Sequence, residues 1–104
     1  MVGQPALFEF NYFENLNLSG DGRAVEAKRY LTGKYPSGSD VRAGVGEMTQ
    51  AGATCEHIID RGDYYVCRYG IPGFFRTEWI VAFKVEAGTN RITDISVERG
   101  IDGL

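Results

Sequence analysis

The stretch CEHIIDRGDYYVC, residues 55–67, contains both cysteines of the chain and its only histidine. Two runs rich in apolar residues flank the polar segment Asp-Arg-Gly at 60–62, which predicts a β-hairpin with a three-residue loop. The last residue of such a loop adopts a left-handed backbone, and Gly62 is the only one of the three that does so without steric cost. The length of this loop decides to which face of the sheet each side chain points.

A three-residue loop pairs Ile59 with Asp63 and, counting outward, Cys55 with Cys67. Opposed residues of an antiparallel pair have Cα atoms roughly 4.5–5.5 Å apart, which is within the range of a disulfide bond. A two-residue Arg-Gly loop is the alternative, and it would send the two sulfur atoms to opposite faces. We predict the first register, because Arg is a poor residue for the positive φ of a two-residue turn. A disulfide here would stabilise the fold by about 3 kcal/mol.

Three other roles are open to the cysteines and the histidine. Cys55, His57 and Cys67 could bind a metal, although zinc takes four ligands and its cysteines usually occur as closely spaced pairs. A cysteine and His57 could form a nucleophilic pair, but no third residue that would orient the histidine is evident. The cysteines could also be reduced core residues. We predict no metal site and no cofactor, and we interpret His57 as a half-buried strand residue that faces Tyr65.

Composition and charge are typical of one globular domain. The chain has 104 residues and a net charge of −3, with no basic block, so we predict no nucleic-acid partner. No apolar run approaches the roughly 20 residues that cross a bilayer, and the first ten residues lack a secretory signal. A disulfide would imply an oxidising compartment, periplasmic or secreted, with a leader removed. Without the disulfide, or if the chain is complete as given, a cytoplasmic location is expected.

The segments before the hairpin predict an N-terminal extension and two helices. In the extension, residues 1–20, the segment LFEFNYF at 7–13 alternates as a strand does. Residues 21–52 form a predicted helical hairpin, with apolar residues at helical spacing over 22–34 and again up to Gln50. The predicted caps are Asp21 for the first helix, Ser37 or Ser39 for the second, and Gly52 at its C-terminus.

Glycines inside the second predicted helix weaken it. Gly44 and Gly46 each cost about 1 kcal/mol relative to Ala. This helix therefore needs tertiary packing, and its glycines would let a neighbouring element approach closely.

Residues 53–104 predict an antiparallel sheet. The four strands are predicted at 53–60, 63–70, 75–87 and 91–99. Pro72 and Gly73 suit a type II turn between the second and third strands, and a bulge is expected near 93–94. Two helices followed by a meander of strands indicate a single α+β domain over 1–104. Both helices would pack on one face of the sheet, and an extra N-terminal strand is possible.

The face of the sheet opposite the helices is the predicted binding site. In the preferred register it carries tyrosine, arginine and aliphatic side chains among opposite charges, a composition typical of protein contact surfaces. The predicted binding residues are Ile58, Tyr64, Val66, Arg68, Arg76, Glu78 and Ile80. Two alternatives are that scattered apolar residues on an open sheet are ordinary, or that LFEFNYF folds back to cover them.

A longer pattern resembles a known family. YPSGSDVRAGVGEMTQAGATC, residues 35–55, followed by TEWIVAFKVEAGTNRITDISV, residues 77–97, is similar to the two-helix, four-strand unit of β-lactamase inhibitor proteins and of small SmpA/OmlA-type envelope lipoproteins. The matching positions are Gly38, Val41, Trp79, Phe83, Ile92, Ile95 and Val97. The resemblance covers about residues 30–99. It implies a non-enzymatic envelope or secreted module that binds through its open sheet face. The chain departs from the family in having no lipid-attachment cysteine near its start, and it has one copy of the unit where the inhibitors have two. Inhibition of β-lactamases is therefore not implied.

Three functions follow as hypotheses. The first is a small extracytoplasmic protein-binding module, of inhibitor or assembly type, whose partner is another protein or a second copy. The alternative is a small-ligand carrier or enzyme of the cone-shaped α+β type (cystatin-like or nuclear-transport-factor-like), with a pocket lined by Tyr65, Tyr69 and Trp79. The third is a structural homo-oligomer joined through the open face. No phosphate loop, dinucleotide fingerprint, zinc-protease helix or nucleophile elbow is present, and we predict no catalytic residue.

Overall fold

The computed structural model describes residues 7–19 and 21–102, so residues 1–6, Gly20 and residues 103–104 of the predicted segments lie outside it. Within the described part, three helices precede one four-stranded antiparallel sheet, and the predicted α+β class is confirmed. The helices are α1 (Phe10–Glu14), α2 (Gly22–Lys34) and α3 (Val41–Gln50). The strands are β1 (Thr54–Ile59), β2 (Asp63–Ile71), β3 (Arg76–Val85) and β4 (Ile92–Asp102).

The predicted N-terminal strand is wrong, because the segment forms the short helix α1. Burial alternates from Phe8 to Tyr12, as in a strand, but the next residue, Phe13, is buried as well and breaks the alternation. Phe8 stacks on Phe13 with ring centroids 4.9 Å apart, and Phe10 stacks on Tyr69 of β2 at 4.4 Å. A turn of helix brings Phe10 and Phe13 to one side of the segment, and this aromatic packing outweighs the strand pattern.

Helix α2 covers the predicted residues and packs against β4. Ala24, Ala27 and Leu31 are buried at helical spacing, as the sequence predicts. Asp21 lies directly before the helix, but its side chain makes no capping hydrogen bond, so that part of the prediction is wrong. The Asp21 carboxylate is exposed instead.

Helix α3 begins later than predicted, and its cap is Asp40 instead of Ser37 or Ser39. The Asp40 carboxylate accepts a hydrogen bond from the backbone N–H of Arg42 at 2.9 Å. Hydrogen bonds from the guanidinium and then the backbone of Arg42 lower the pKa of Asp40 to about 2. Gly52 ends the helix with a φ of 103°, which confirms the predicted C-terminal cap.

The predicted register of the first hairpin is confirmed. Ile59 pairs with Asp63 and Cys55 with Cys67. The Cα atoms of the two cysteines are 4.0 Å apart, and their sulfur atoms form a disulfide bond.

The conformation of the hairpin loop differs from the prediction. Arg61 has a φ of 57° and Gly62 a φ of 145°, so the premise that arginine avoids a positive φ in this loop is wrong, although the register predicted from it is observed. The N–H of Asp60 donates to the carbonyl of Gly62 at 3.1 Å, which closes the reversal tightly. Because this reversal leaves three residues between the paired positions, the register is the same as for the loop predicted from the sequence.

The remaining strands form a meander in the order β1-β2-β3-β4. The predicted bulge is confirmed, because Val85 pairs with Ile92 but Lys84 pairs with Asp94. The predicted type II turn is wrong, since Gly73 lacks the positive φ that such a turn requires. Ile71 pairs with Thr77, so the connection is longer than a two-residue turn.

The sheet has one face against the helices and one face away from them. The inner face carries Cys67, Trp79, Val81, Phe83 and Val85, which are buried against the helices. The other side of the sheet is called the open face. Its residues are Thr54, Glu56, Ile58, Tyr64, Val66, Arg68, Arg76, Glu78, Ile80, Ala82, Lys84, Asp94, Ser96 and Glu98.

The two glycines of α3 give a matched test of this packing. A Cβ atom added at Gly44 would lie 2.9 Å from the Phe83 ring, whereas one added at Gly46 would meet no atom within 4 Å. We expect Gly46→Ala to raise the free energy of unfolding by about 0.5–1 kcal/mol. Gly44→Ala should lower it by about 1–3 kcal/mol, because the buried Phe83 ring must move. Denaturant titrations measure both values, and equal stabilisation by the two variants would contradict the close contact between α3 and β3.

Candidate functional site

The open face brings together all seven residues predicted for binding. Ile58 pairs with Tyr64, and Arg68 pairs with Ile80, so neighbouring strands place these side chains side by side. Val66 lies between Tyr64 and Arg68 along β2. Arg76 and Glu78 continue the face along β3 toward the far end of the sheet. None of the described side chains on this face is buried.

The segment expected to cover this face lies elsewhere. Residues 7–14, which contain LFEFNYF, pack on the helix side, where Phe10 contacts Tyr69 and Trp79 of the inner face. The alternative in which this segment folds back over the open face is therefore wrong.

The middle of the open face is apolar and its periphery is charged. Ile58, Val66, Ile80 and Ala82 are half-buried by their neighbours. The Arg68 guanidinium donates to the Glu56 carboxylate at 2.9 Å, with side chains 45% and 61% exposed. An ion pair this exposed contributes little stability. It can open toward a partner at small cost.

The turn after β2 adds a feature that the sequence analysis missed. Phe74 is 92% exposed and Phe75 42% exposed, and their rings meet edge to face with centroids 4.8 Å apart. The signal in the sequence was two consecutive aromatics directly after Pro-Gly, in a connection between strands. Burying the exposed Phe74 ring in a contact would remove more apolar surface from water, and so release more free energy, than burying a polar side chain.

A buried carboxylate that the sequence analysis missed anchors the start of the described chain. Glu47 of α3 is 5% exposed. Its carboxylate accepts hydrogen bonds from the backbone N–H of Phe8 at 2.6 Å, from Lys34 Nζ at 2.9 Å, from the Tyr30 hydroxyl at 3.1 Å and from the Tyr35 hydroxyl. The sequence contains no local signal for this cluster, because its partners lie on different elements.

The electrostatics of this cluster follow from its burial and its donors. Burial raises the pKa of Glu47, but hydrogen bonds from Tyr35, Lys34, Phe8 and Tyr30 outweigh burial, and the pKa lies below its ordinary value. Burial and the hydrogen bond to Glu47 raise the pKa values of Tyr30 and Tyr35. The carboxylate is therefore charged and the phenols neutral at physiological pH.

A second carboxylate fixes the other end of α1. Glu14 accepts hydrogen bonds from Trp79 Nε1 at 2.8 Å and from Arg99 Nε and Nη2 at 2.8 and 2.6 Å. Arg23 Nη1 of α2 lies 3.6 Å from the same carboxylate. The hydrogen bonds from Arg99 are the largest cause of the lowered pKa of Glu14. Helix α1 is thus held to the inner side of both β3 and β4.

The disulfide decides among the roles that were open to the cysteines and the histidine. With the two sulfur atoms joined, neither Cys55 nor Cys67 is a thiolate ligand or nucleophile in this state. His57 faces Tyr65 as predicted, with ring centroids 4.2 Å apart, and its Nε2 lies 2.5 Å from Asp63 Oδ1. It is exposed, however, and not half-buried as predicted.

The side chains expected to line a pocket each have a separate partner. Trp79 is fully buried and donates to Glu14, Tyr69 stacks on Phe10, and Tyr65 stacks on His57. A shallow groove of about 340 Å³ runs past Tyr69 between the N-terminal segment and the end of α3. Over residues 7–19 and 21–102, no group of three or more His, Cys, Asp or Glu side chains is placed to hold a metal ion.

Comparison with known proteins gives no relative. No family model, no curated protein and no solved structure matches the chain. Among the helices of the described residues, none has both the length and the apolar character needed to cross a bilayer.

The pH dependence of stability tests the roles of Glu14 and Glu47. Because the folded pKa values of Glu14 and Glu47 lie below that of an unfolded Glu, their contribution is present above about pH 4.5 and is lost as the pH falls through the folded pKa. We expect Glu47→Gln to lower the free energy of unfolding at pH 7 by about 1–3 kcal/mol and to flatten its decline in acid.

Chemical denaturation across this pH range measures the effect. Glu86→Gln, on an exposed turn, is the matched control and should follow the wild-type protein. An acid decline of Glu47→Gln as steep as that of the wild type would contradict the role of Glu47.

Proposed function

We propose that the protein is a small extracytoplasmic module that binds another protein through its open sheet face. The observation that supports this most is that Ile58, Tyr64, Val66 and Ile80 form an apolar strip that no part of the described chain covers. An uncovered strip of this kind, with Tyr and Arg beside it, has the composition of a contact surface.

The scaffold behind the face favours binding without large rearrangement. The disulfide joins β1 to β2 directly behind Val66 and Arg68, and β3 packs on the helices through fully buried Trp79 and Phe83. Side chains on a rigid sheet lose little backbone entropy when a partner docks. A pre-formed face suits an inhibitor or an assembly module, which are the two types we propose.

The proposed compartment rests on the disulfide. A Cys55–Cys67 bond is compatible with an oxidising location, such as the periplasm or the exterior of the cell. The resemblance to β-lactamase inhibitor proteins and SmpA/OmlA-type lipoproteins also supports a location outside the cytoplasm. As a hypothesis, it further implies that the partner is a protein.

A carrier or enzyme of the cone-shaped type has less support. The three aromatic side chains that would line its pocket are committed to Glu14, Phe10 and His57. Glu56 is exposed on β1 and Glu78 is half-buried on β3, with β2 between them, so these two carboxylates do not form an acid/base pair.

The test is a double variant on the open face. Tyr64→Ala with Arg68→Ala should change the melting temperature little, because both side chains point away from the core and the Arg68 ion pair is exposed. The same variant should lose binding to the cognate partner by at least tenfold, as expected for truncated Tyr and Arg anchors. Arg29→Ala with Thr32→Ala, on the exposed side of α2, is the matched control.

A photo-crosslinking residue at Ile80, in the middle of the face, identifies the partner, and calorimetry then compares the variants. Wild type and control should bind equally well. Equal binding by the open-face variant, or a large fall in its melting temperature, would contradict the proposal.

A further inference from the structure

The outer edge of β4 has backbone groups that point away from the sheet. The short Cα separation of Cys55 and Cys67 marks a pair whose N–H and C=O groups do not bond to each other. The N–H and C=O of Cys67 therefore point to β3, where Val81 is its partner, and those of Val81 point back to β2. Val97, opposite Val81, must then direct its N–H and C=O to the free edge.

One position along this edge is already paired and confirms the direction. The N–H of Ile92 donates to the Ser39 carbonyl at 2.8 Å, and the Ile92 carbonyl accepts from the Gly38 N–H at 2.7 Å. Ile95, Val97 and Arg99 share this outward direction with Ile92, because the bulge adds one residue after Ile92 and alternate residues of the strand point the same way beyond it. Within the described residues these three have no backbone partner on that side, although the N–H of Ile95 donates to the Asp94 carboxylate at 2.9 Å.

A groove of about 360 Å³ runs along the unpaired edge, between β4 and α2. Its α2 side is formed by Asp21, Ala24, Val25 and Lys28, and its β4 side by Val97, Glu98 and Arg99. Val25 is 51% exposed there. Edge strands are protected against pairing by short length, by Pro, by charged side chains or by a covering segment. Strand β4 has 11 residues and no Pro, and the segment at Gly38 and Ser39 pairs with it only at Ile92. Its charged residues Asp94, Glu98 and Arg99 restrict the registers in which a second strand can pair.

We propose that a second copy of this chain fills the groove, with β4 pairing antiparallel to its counterpart about a twofold axis at Val97. An axis perpendicular to the sheet keeps the inner faces on one side and the open faces on the other. The two four-stranded sheets become one continuous sheet. This inference does not rest on the function proposed for the open face.

The charges of β4 favour this register over its neighbours. With the axis at Val97, Ser96 lies opposite Glu98 of the second copy, and no like charges are opposed. With the axis at Ser96, Asp94 would lie opposite Glu98 of the second copy. With the axis at Glu98, the two copies of Glu98 would lie opposite each other. Like charges directly opposite each other on neighbouring strands are destabilising.

Helix α2 is complementary to itself about the same axis. The axis sets the two α2 helices antiparallel, which brings Asp21 toward Lys28 of the second copy and Ala24 toward Val25 of the second copy. Asp21 and Lys28 are both exposed, and neither forms an ion pair with another described residue. Two symmetric Asp21–Lys28 ion pairs therefore form between the copies. They flank the apolar contact of Ala24 with Val25, which lies level with Val97 in the groove.

Charge reversal tests the contact between the helices. In sedimentation equilibrium we expect a reversible dimer, and Asp21→Lys or Lys28→Asp should each weaken it about tenfold, because two attractions become two repulsions. The double variant should restore dimerisation, which an isolated charge effect would not do. Glu86→Lys changes the net charge as Asp21→Lys does and should leave the dimer intact. A monomer at every concentration, or single variants that dimerise as the wild type does, would overturn the proposal.

Hydrogen exchange tests the strand pairing with the unaltered protein. The amides of Val97 and Arg99 should exchange more slowly as the protein concentration rises through the dimerisation range. The amides of Ser96 and Glu98 bond to β3 and should be protected at all concentrations. Rapid exchange of the Val97 amide in a sample that is fully dimeric would place the interface elsewhere and overturn the β4 pairing.

Discussion

The pairing of Cys55 with Cys67 is the constraint on which the rest of the structure depends. In a sheet, a shift of one residue moves every side chain to the opposite face. This register places Tyr65, Cys67 and Tyr69 against the helices, and through β3 it also turns Trp79 and Phe83 inward. The composition of the open face, and the outward direction of the backbone groups of β4, follow from the same parity.

Two carboxylates, Glu47 and Glu14, hold the N-terminal segment on the inner side of the sheet that the register defines. Glu47 holds the backbone N–H of Phe8, and Glu14 holds Trp79 and Arg99, so α1 is fixed at both ends on the inner side. The aromatic residues of this segment therefore add to the core and leave the other face of the sheet uncovered. The proposed binding surface is left uncovered because the buried Glu47 and the half-buried Glu14 hold the N-terminal segment on the inner side.

The sequence was sufficient for features that depend on short spacings. Loop length and alternation predict the register of Cys55 and Cys67, and periodicity with a terminal Gly52 predicts α2 and α3. Helix α1 was mispredicted because its aromatics match a strand pattern locally, while the partners that make it helical lie on β2 and α2. Glu47 carries no local signal, since its donors are distant in sequence. The binding role of the open face stays a proposal, because exposure and composition do not name a partner.

The most direct test of the register is the pattern of cross-strand NOEs in an NMR spectrum of the oxidised protein. Residues of a non-hydrogen-bonded pair bring their Hα protons close together across an antiparallel ladder. We predict strong Hα–Hα NOEs between Cys55 and Cys67, and between His57 and Tyr65. Strong Hα–Hα NOEs between Cys55 and Val66, or between Cys55 and Arg68, would show a ladder shifted by one residue. They would contradict both the disulfide and the composition of the open face.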